Sequence, residues 1–380
     1  MVNKVLIGIV ALALILAGAS GAYTVYLGEQ LAVSQTQQAA EIGALHEEMA
    51  TQGEETLARI DALDNELRGI ALGMEQSGIN AGELYQEVSQ GIVRISDGEG
   101  VIGSGFVFDA EGHILTPQHV AEGHDPIYII SADGHASPAT VIGACEYSDI
   151  AVLRESLPTP AFLSIPPLTL TDSAKVKAGE PVIVIGNPLE LPGTITSGIV
   201  SQINRFAQVG YDSETRGVAN LIQFDAAVNF GNSGSPLLNS QGEVIGMVIA
   251  RIDPSVGEGA YFAASSNKLQ RVTHSIIERG YFDYPWLGVE ITNLTPEAAR
   301  ERNLETINGA LVMTVITAAP AEAAGIKADD IIVAIDGAPV NEVADLTSYL
   351  GEHASPGDAV TITLIRYGLT VELPVTVGKR

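Results

Sequence analysis

Cysteine is almost absent from this sequence of 380 residues. The single cysteine, Cys145, has no partner for an internal disulfide, which excludes a disulfide framework and a cysteine-based metal site. It lies in the apolar run VIGAC, where a buried core position is the expected role. No motif for a metal or an organic cofactor is found either, so we expect a protein that needs no cofactor.

Basic residues are also scarce. Lys and Arg number 19 against 46 Asp and Glu, which gives a formal net charge of -27. Such a chain repels nucleic acid phosphates and anionic lipid headgroups, so nucleic acid is not an expected partner. Charged residues make up 17% of the chain and hydrophobic residues 46%, which is enough apolar material for two globular domains and an appendage.

The amino-terminal stretch Val5–Leu27 contains no charged side chain. As a helix it would span roughly 35 Å, enough for a hydrocarbon core of about 30 Å. We therefore predict a transmembrane signal anchor over residues 1–27, with Lys4 on the cytoplasmic side and the rest of the chain outside the cytoplasm. A cleaved signal peptide is the alternative, because small residues between Ala17 and Ala22 offer cleavage sites. Both interpretations export the protein.

Residues 28–82 are proline-free and rich in Gln, Glu and Ala. Apolar residues spaced three and four apart predict a narrow helical seam, although several glycines weaken it. A short oligomerising helical stalk and a plain spacer fit this segment equally well.

Short β-type runs punctuated by glycine fill residues 83–280, in two groups of about six strands separated by a proline-rich stretch. This pattern predicts two six-stranded antiparallel β-barrels, followed by a helix over Ser265–Arg279 that stops at Gly280. Residues 284–380, called the C-terminal module below, mix strands with helical patterns at Thr295–Arg302 and Glu342–Leu350. We predict a mainly β protein that ends in an α+β module.

The stretch FGNSGSPL contains a candidate nucleophile, Ser233. A serine hydroxyl needs an imidazole to take its proton and a carboxylate to orient that imidazole. Of the seven histidines, His113, His124 and His135 lie in glycine-containing turns where exposed rings are expected. His119 instead ends a strand and begins a short apolar element, so it is the candidate base.

Asp149 immediately precedes a fully apolar strand, which places its carboxylate at the edge of a core. A lone aspartate there is more often a turn cap, but its combination with His119 and Ser233 favours a catalytic role. The Gly231-Asn232-Ser233 turn predicts an oxyanion hole in which the amides of Gly231 and Ser233 converge. Ser235 begins the next strand and is expected to point away.

Three segments, TPQHVA, YSDIAVL and NFGNSGSPL, follow one another in the order His, Asp, Ser. They resemble the catalytic segments of trypsin-fold serine proteases, and specifically those of the HtrA/Deg family. The similarity covers residues 83–380, since the C-terminal module resembles that family's PDZ domain. One membrane anchor with one PDZ domain is the DegS-like layout. Two positions depart from the family pattern: Pro117-Gln118 precedes the histidine, and Ser235 replaces a glycine.

The resemblance implies a serine endopeptidase in which His119 takes the Ser233 proton and Asp149 steadies the imidazolium. It also implies a homotrimer and misfolded or signalling proteins as substrates. Neither departure removes a group that does chemistry, so activity is expected.

In the C-terminal module, the resemblance implies that backbone amides of a tight loop hold a peptide carboxylate. Trp286, Leu287, Gly288 and Val289 match that loop in pattern. Leu346 and Leu350 are expected either as groove walls or as ordinary core residues. KADD replaces a common lysine-proline-glycine-aspartate.

The resemblance further implies that a loop of residues 205–220 senses the PDZ state or a neighbouring subunit, with Arg205 as the candidate signalling charge. The leading hypothesis is thus a membrane-anchored serine endopeptidase for extracytoplasmic protein quality control or stress signalling, regulated by peptides at its PDZ domain. The alternative is a catalytically silent PDZ scaffold or chaperone that captures exposed carboxy termini.

Overall fold

The computed structural model describes residues 80–157, 159–187, 193–209, 216–251 and 259–380, with isolated positions at Gly8, Gly18, Gly21, Gly28, Gly43 and Met49. Apart from those isolated positions and residues 80–82, the predicted anchor and stalk lie outside the described residues. Among the helices that are described, none has the length and apolarity that a membrane span requires.

The helices are α1 (Ala81–Val88), α2 (Gln118–Ala121), α3 (Pro160–Leu163), α4 (Ser266–Arg279), α5 (Pro296–Glu301), α6 (Pro320–Ala324) and α7 (Val343–His353), with 3-10 turns at Ser89–Gly91 and Ser173–Lys175. The first twelve strands are β1 (Ile92–Ser96), β2 (Val101–Val107), β3 (His113–Thr116), β4 (Ile127–Ile130), β5 (Ala136–Cys145), β6 (Ile150–Glu155), β7 (Pro181–Gly186), β8 (Thr194–Val209), β9 (Arg216–Phe224), β10 (Pro236–Leu238), β11 (Val244–Arg251) and β12 (Tyr261–Ser265). The remaining strands are β13 (Pro285–Trp286), β14 (Val289–Asn293), β15 (Ala310–Val315), β16 (Ile331–Ile335), β17 (Ala338–Pro339), β18 (Ala359–Arg366), β19 (Leu369–Thr376) and β20 (Gly378–Lys379).

Strands β1 to β6 close into one barrel in the order β1-β2-β3-β6-β5-β4, and β7 to β12 close into a second in the order β10-β11-β12-β9-β8-β7. All pairings within them are antiparallel, and closure leaves no exposed sheet edge. The two predicted six-stranded barrels are therefore confirmed. The short strand β12 was not predicted, because its residues YFAAS are mostly small and follow no alternating pattern.

Successive side chains on a strand point to opposite faces, so each barrel contributes residues to two hydrophobic cores. In β7, Val182 and Val184 point into the second barrel, whereas Ile183 and Ile185 face outward and join a cluster shared with the first barrel. This interbarrel cluster also receives Phe106 of the first barrel and the apolar face of α4. The barrels are thus joined by a continuous core, and their interface positions a site formed by both.

Helix α4 follows the second barrel as predicted. Ser265 occupies the N-cap position, and Gly280 ends the helix in the left-handed conformation, with φ of 83°. Leu269, Val272 and Ile276 lie on one face and are buried in the interbarrel cluster. The helix therefore packs against both barrels.

The C-terminal module has its own core and a sheet in the order β14-β15-β16-β18-β19. Helix α7 begins with a capping box, in which Glu342 and Asp345 each accept a backbone amide of the other. Leu346 and Leu350 of α7 are buried in this core.

Helix α7 also contacts the second barrel and α4. The Asn220 side chain donates to the Ser348 carbonyl at 3.0 Å, and the Asn220 amide donates to Ser348 Oγ at 3.1 Å. From α4, Arg271 donates to the Gly351 carbonyl at 2.5 Å and also to the Ala354 carbonyl. The cationic Arg271 therefore satisfies carbonyls at the end of α7 that the helix itself leaves unpaired.

Two expectations were wrong. Arg205 does not begin a loop: it lies within β8, paired with Leu221 of β9, and its Nε donates to Gln223 Oε1 at 3.1 Å. The hairpin formed by β8 and β9 extends beyond the predicted strand ends. Side chains alternate along it, and register shifts keep the two strands paired. His113 is buried rather than exposed, because its ring Nδ1 pairs with Asp109 Oδ2 at 2.6 Å.

Candidate active site

The candidate nucleophile lies in a loop of the second barrel that β2 of the first barrel holds in place. The Ser104 amide donates to the Ser233 carbonyl at 2.7 Å, and the buried Ser104 hydroxyl donates to the Gly231 carbonyl at 2.7 Å. A Cβ on the neighbouring Gly103 would lie 2.6 Å from Val120 of α2 and 3.1 Å from the Ser233 carbonyl oxygen. Ser233 is therefore next to the helix that carries His119.

His119 is positioned by its own short helix. Pro117, with φ of −62° and ψ of 148°, ends β3 and starts α2, and the buried Val120 and Ala121 anchor this helix in the first barrel. Proline is well suited to the start of a helix, because its missing amide is not needed there. Pro117, one of the two departures from the family pattern, is thus compatible with the placement of His119.

Asp149 contacts His119 at two points. Its Oδ2 lies 2.8 Å from His119 Nδ1, and its Oδ1 accepts the His119 backbone amide at 3.0 Å. Asp149 is buried and has a left-handed backbone, with φ of 52°, immediately before β6. A carboxylate that accepts from Nδ1 requires the proton on that nitrogen, which leaves Nε2 as the proton acceptor. The predicted pairing of His119 with Asp149 is therefore present.

The Ser233 loop is built from two tight turns. The Asn232 amide donates to the Asn229 carbonyl at 3.0 Å, and the Ser235 amide donates to the Asn232 carbonyl at 2.9 Å. Gly234 has φ of 92°, and a Cβ there would overlap the Ser104 carbonyl oxygen, so only glycine fits.

Of the three residues predicted to form the oxyanion hole, Asn232 has no free amide to offer, since Asn229 accepts it. The amides of Gly231 and Ser233 donate to no acceptor among the residues that the structure describes. These two amides remain the candidate oxyanion donors.

The hydrogen bond that joins Ser233 to the first barrel involves its backbone carbonyl and not its hydroxyl. Catalytic hydrogen bonds in ligand-free enzymes are often long and tighten when substrate binds, so this geometry does not exclude catalysis. Ser235 is fully buried, and its Oγ lies against Gly186 of β7 without a hydrogen-bond partner. Ser235 therefore cannot serve as an exposed nucleophile in this conformation.

A second candidate site is a cavity of about 650 Å³ in the C-terminal module. All four residues of the predicted carboxylate loop, Trp286 to Val289, line it, as do Leu346 and Leu350. Leu346 and Leu350 are core residues that also form part of the cavity wall. The cavity lining also includes residues of the barrel domain and the last residue of the sequence that sequence reasoning missed, namely Tyr147, Phe206, Gln208, Gly217, Ala219 and Arg380.

Sequence reasoning also missed Ser104 and Lys268. Ser104 gave no signal, since the partners of its hydroxyl lie more than eighty residues away in the chain. Lys268 had a signal, because a lysine interrupts the first turn of a helix that packs on the core. It is fully buried, and its Nζ donates to the Ala219 carbonyl at 2.8 Å. Across the described residues, no cluster of three or more His, Cys, Asp or Glu has the geometry of a metal site.

Comparison with known proteins agrees with this geometry. Residues 103–247 match the family model of the trypsin-like peptidase domain, and residues 285–377 match that of the PDZ domain. The chain is 37% identical over 278 residues to the probable periplasmic serine endoprotease DegP-like of Brucella suis, covering 73% of this chain and 52% of that protein. It is 34% identical over 281 residues to the putative serine protease HhoA of Synechocystis sp., covering 72% and 69%.

Among solved structures, the HtrA-type protease AlgW with tripeptide superposes with a TM-score of 0.64 and 32% identity, over 79% of this chain and 97% of that one. The fold is thus that of a trypsin-like peptidase followed by one PDZ domain. The chain belongs to the HtrA family of serine proteases, as its sequence motifs indicated. It spans about half the length of some of the curated relatives that it matches.

Proposed function

We propose that the protein is a serine endopeptidase of the HtrA type, with Ser233 as nucleophile, His119 as general base and Asp149 as the orienting carboxylate. The observation that carries this proposal is the two-point contact of Asp149 with His119 beside the Ser233 loop. Acyl transfer requires the three residues, drawn from both barrels, to meet. The closeness of Val120 of α2 and the Ser233 carbonyl, both beside Gly103, supports this assembly.

The chemistry follows from the positions of the protons. His119 Nε2 takes the Ser233 proton as Oγ attacks the scissile carbonyl, and the amides of Gly231 and Ser233 stabilise the oxyanion. His119 then protonates the leaving amine, and water hydrolyses the acyl-enzyme by the same route in reverse. Asp149 orients and stabilises the imidazolium at each step.

We propose that peptides bind the C-terminal module and regulate cleavage. A peptide carboxy terminus fits beside β14, with its carboxylate at the Trp286–Val289 loop and its side chains against Leu346 and Leu350. The solved complexes of AlgW with a tripeptide and with a decapeptide support peptide binding by a relative of similar fold. Helix α7 both lines this cavity and bonds to Asn220, so a bound peptide has a direct contact route to the second barrel.

Location and assembly follow from the sequence. The uncharged Val5–Leu27 stretch supports a single membrane anchor with the catalytic part outside the cytoplasm, and the family resemblance supports a homotrimer. The name of the Brucella suis relative includes "periplasmic", in agreement with export. Fractionation of membranes and sedimentation of the detergent-solubilised chain test these two points. A cytoplasmic or a monomeric protein would contradict them.

The enzyme assignment is tested with a fluorophosphonate probe and casein digestion. We expect the probe to modify Ser233, and Ser233→Ala to reduce cleavage about 10⁴-fold or more. Ser240→Ala, which removes another hydroxyl of the same barrel outside the cleft, is the matched control and should leave cleavage unchanged. Unlabelled Ser233 together with peptide binding at the cavity would favour the silent PDZ scaffold instead.

A further inference from the structure

Asn187 is a buried polar residue that the mechanism above does not use. It follows β7 of the second barrel, and only 6% of its surface is exposed. Its backbone amide and its side-chain Nδ2 both donate to the Ser104 hydroxyl of the first barrel, each at 3.3 Å. Burial of an amide is costly unless its donors and acceptor are hydrogen-bonded, so the partners of Asn187 indicate its role.

A third contact fixes the orientation of the Asn187 side chain. Its Oδ1 accepts the backbone amide of Gly193 at 3.1 Å. Exchange of the oxygen and the nitrogen would place two donors against each other at Gly193, so Nδ2 must point toward Ser104. Gly193 in turn packs against α1, because a Cβ there would overlap the Tyr85 hydroxyl.

These contacts leave the Ser104 hydroxyl one direction for its proton. A serine hydroxyl has two acceptor sites and one proton to donate. Asn187 occupies both acceptor sites, so the proton goes to the Gly231 carbonyl, whose oxygen lies 2.7 Å from Ser104 Oγ. Ser104 is fully buried, so bulk solvent does not compete for this bond.

The Gly231 carbonyl belongs to the part of the Ser233 loop that carries the candidate oxyanion donors. Its peptide unit is held at both ends: Ser104 bonds to the oxygen, and the Asn229 carbonyl accepts the Asn232 amide. The Ser104 backbone amide also donates to the Ser233 carbonyl at 2.7 Å. Ser104 therefore fixes the chain on both sides of Asn232, and with it the backbone from which the Gly231 and Ser233 amides project.

We propose that Asn187 is a positioning residue for the oxyanion hole: by directing the Ser104 proton to the Gly231 carbonyl, it keeps the candidate oxyanion amides in the geometry that catalysis needs. This inference rests on the proposed peptidase function. Asn187 acts through Ser104 and touches no reacting atom. Its loss should therefore weaken stabilisation of the transition state and leave substrate binding unchanged.

The first test compares peptide cleavage by Asn187→Asp and by the unsubstituted full-length chain. A carboxylate has no N–H to donate, and it accepts the Ser104 proton that otherwise goes to the Gly231 carbonyl. We expect kcat to fall about 30-fold with KM unchanged, less than the roughly 10²–10³-fold cost of removing an oxyanion donor outright. Asn187→Ala removes the side-chain donor without adding a charge, and it replaces Asn187→Asp if that variant does not fold. Unchanged kcat would overturn the inference.

A pair of inhibitors separates positioning from a general loss of structure. A peptide aldehyde, built on a sequence that the chain cleaves in casein, forms a hemiacetal with Ser233 whose oxygen occupies the oxyanion hole. The matching peptide alcohol binds without such an oxygen. In the Asn187 variant, inhibition by the aldehyde should weaken about 30-fold and inhibition by the alcohol should not change. Equal weakening of both inhibitors would show a structural role and overturn the inference.

A double substitution tests whether Asn187 acts through Ser104. Ser104→Ala removes the hydroxyl but keeps the backbone amide that donates to Ser233, and it should lower kcat by a similar factor. Adding the Asn187 substitution to Ser104→Ala should cost less than about twofold more, because the hydroxyl that Asn187 directs is already gone. Losses that multiply would show that Asn187 acts by another route, and they would overturn the inference.

Ser266→Ala is the matched control. Ser266 is also a buried serine, and its hydroxyl donates to the Thr171 carbonyl, which is not part of the Ser233 loop. This variant should lose stability as Ser104→Ala does but keep its kcat. An equal loss of kcat in both would assign the effect to stability and overturn the inference. Failure of the peptidase proposal is distinct, because Ser233 of the unsubstituted chain would then not react with the fluorophosphonate probe.

Discussion

The Asn220 side chain of the second barrel donates a hydrogen bond of 3.0 Å to the Ser348 carbonyl on α7. Asn220 has φ of 57°, which turns its amide toward Ser348 Oγ as well. The same helix carries Leu346 and Leu350 at the wall of the peptide cavity. One helix therefore connects the candidate regulatory site to the strand β9, whose Ala219 carbonyl also accepts from Lys268.

Substitution of Asn220 by glycine should loosen this contact. Glycine tolerates the left-handed backbone but lacks the side chain, so only the hydrogen bond to Ser348 is lost. One such bond contributes about 1 kcal/mol, which corresponds to a roughly fivefold larger population of the undocked module. Hydrogen exchange of residues 280–284, which connect α4 to the module, should rise by that factor.

Asn303→Gly is the control for this experiment. Asn303 is also left-handed, with φ of 55°, but it is exposed and its amide donates within its own turn, to the Arg300 carbonyl. Its substitution should leave exchange at residues 280–284 unchanged. Equal effects of the two variants would mean that the loss of asparagine, rather than the contact with Ser348, loosens the chain.

Replacement of Asp149 by asparagine should nearly abolish cleavage. The amide cannot hold His119 in the tautomer that leaves Nε2 free, and the corresponding change in a related triad lowers kcat about 10⁴-fold. Asp109→Asn makes the same change in another Asp–His pair of this barrel, at His113, and should alter kcat by less than tenfold. Casein and peptide cleavage rates measure both, and similar losses would remove the distinction between the pairs.

The barrels and the Asp149–His119 pair were predictable because their signals are local. Strand alternation and glycine turns mark the barrels, and His119 is the one histidine of its barrel that lies between a strand and an apolar element. The family resemblance then supplied the order His, Asp, Ser. The catalytic roles themselves stay predictions until the variants are measured.

Contacts between distant segments were not predictable. Ser104 and Gly231 are 127 residues apart, and Asn220 and Ser348 are 128 apart, so neither partner indicates the other in the sequence. The length of the β8–β9 hairpin was missed for a similar reason, because pairing across the barrel, rather than local propensity, extends strands through register shifts.

Gly186→Ala should disturb the oxyanion loop. A Cβ on Gly186 would overlap both Ser235 Oγ and Asn232 Oδ1, so the loop that carries Ser233 must shift. A displacement of about 1 Å can lower the rate about 100-fold. Addition of Ser235→Gly removes one of the two overlaps and should restore part of the activity.

Gly82→Ala is the control for the loop prediction, since its new Cβ would meet only Asn80 Oδ1, at an ordinary 3.6 Å. Steady-state kinetics of the variants measure the effect. Full activity of Gly186→Ala would show that the loop does not depend on this packing, and a double variant no better than Gly186→Ala would exclude Ser235 as the obstacle.

The pH dependence of stability should reveal the buried charge of Lys268. Burial lowers the pKa of Lys268 from 10.5 to about 8 in the folded chain, so between these values the unfolded chain binds more protons. The contribution of Lys268 to the free energy of unfolding therefore rises with pH across that window, by about 2 kcal/mol between pH 7.5 and 9.5. Burial of Tyr284 raises its pKa from 10.0 to about 12, so its contribution falls as pH rises above 10, outside the interval measured.

Urea unfolding of the unsubstituted chain and of Lys268→Met at both pH values isolates the lysine, because all other groups cancel in the difference. Between pH 7.5 and 9.5, we expect the free energy of unfolding of the unsubstituted chain to rise by about 2 kcal/mol relative to that of the variant. A constant difference would mean that Lys268 titrates alike in the folded and unfolded states. Its ammonium would then not be desolvated in the folded chain.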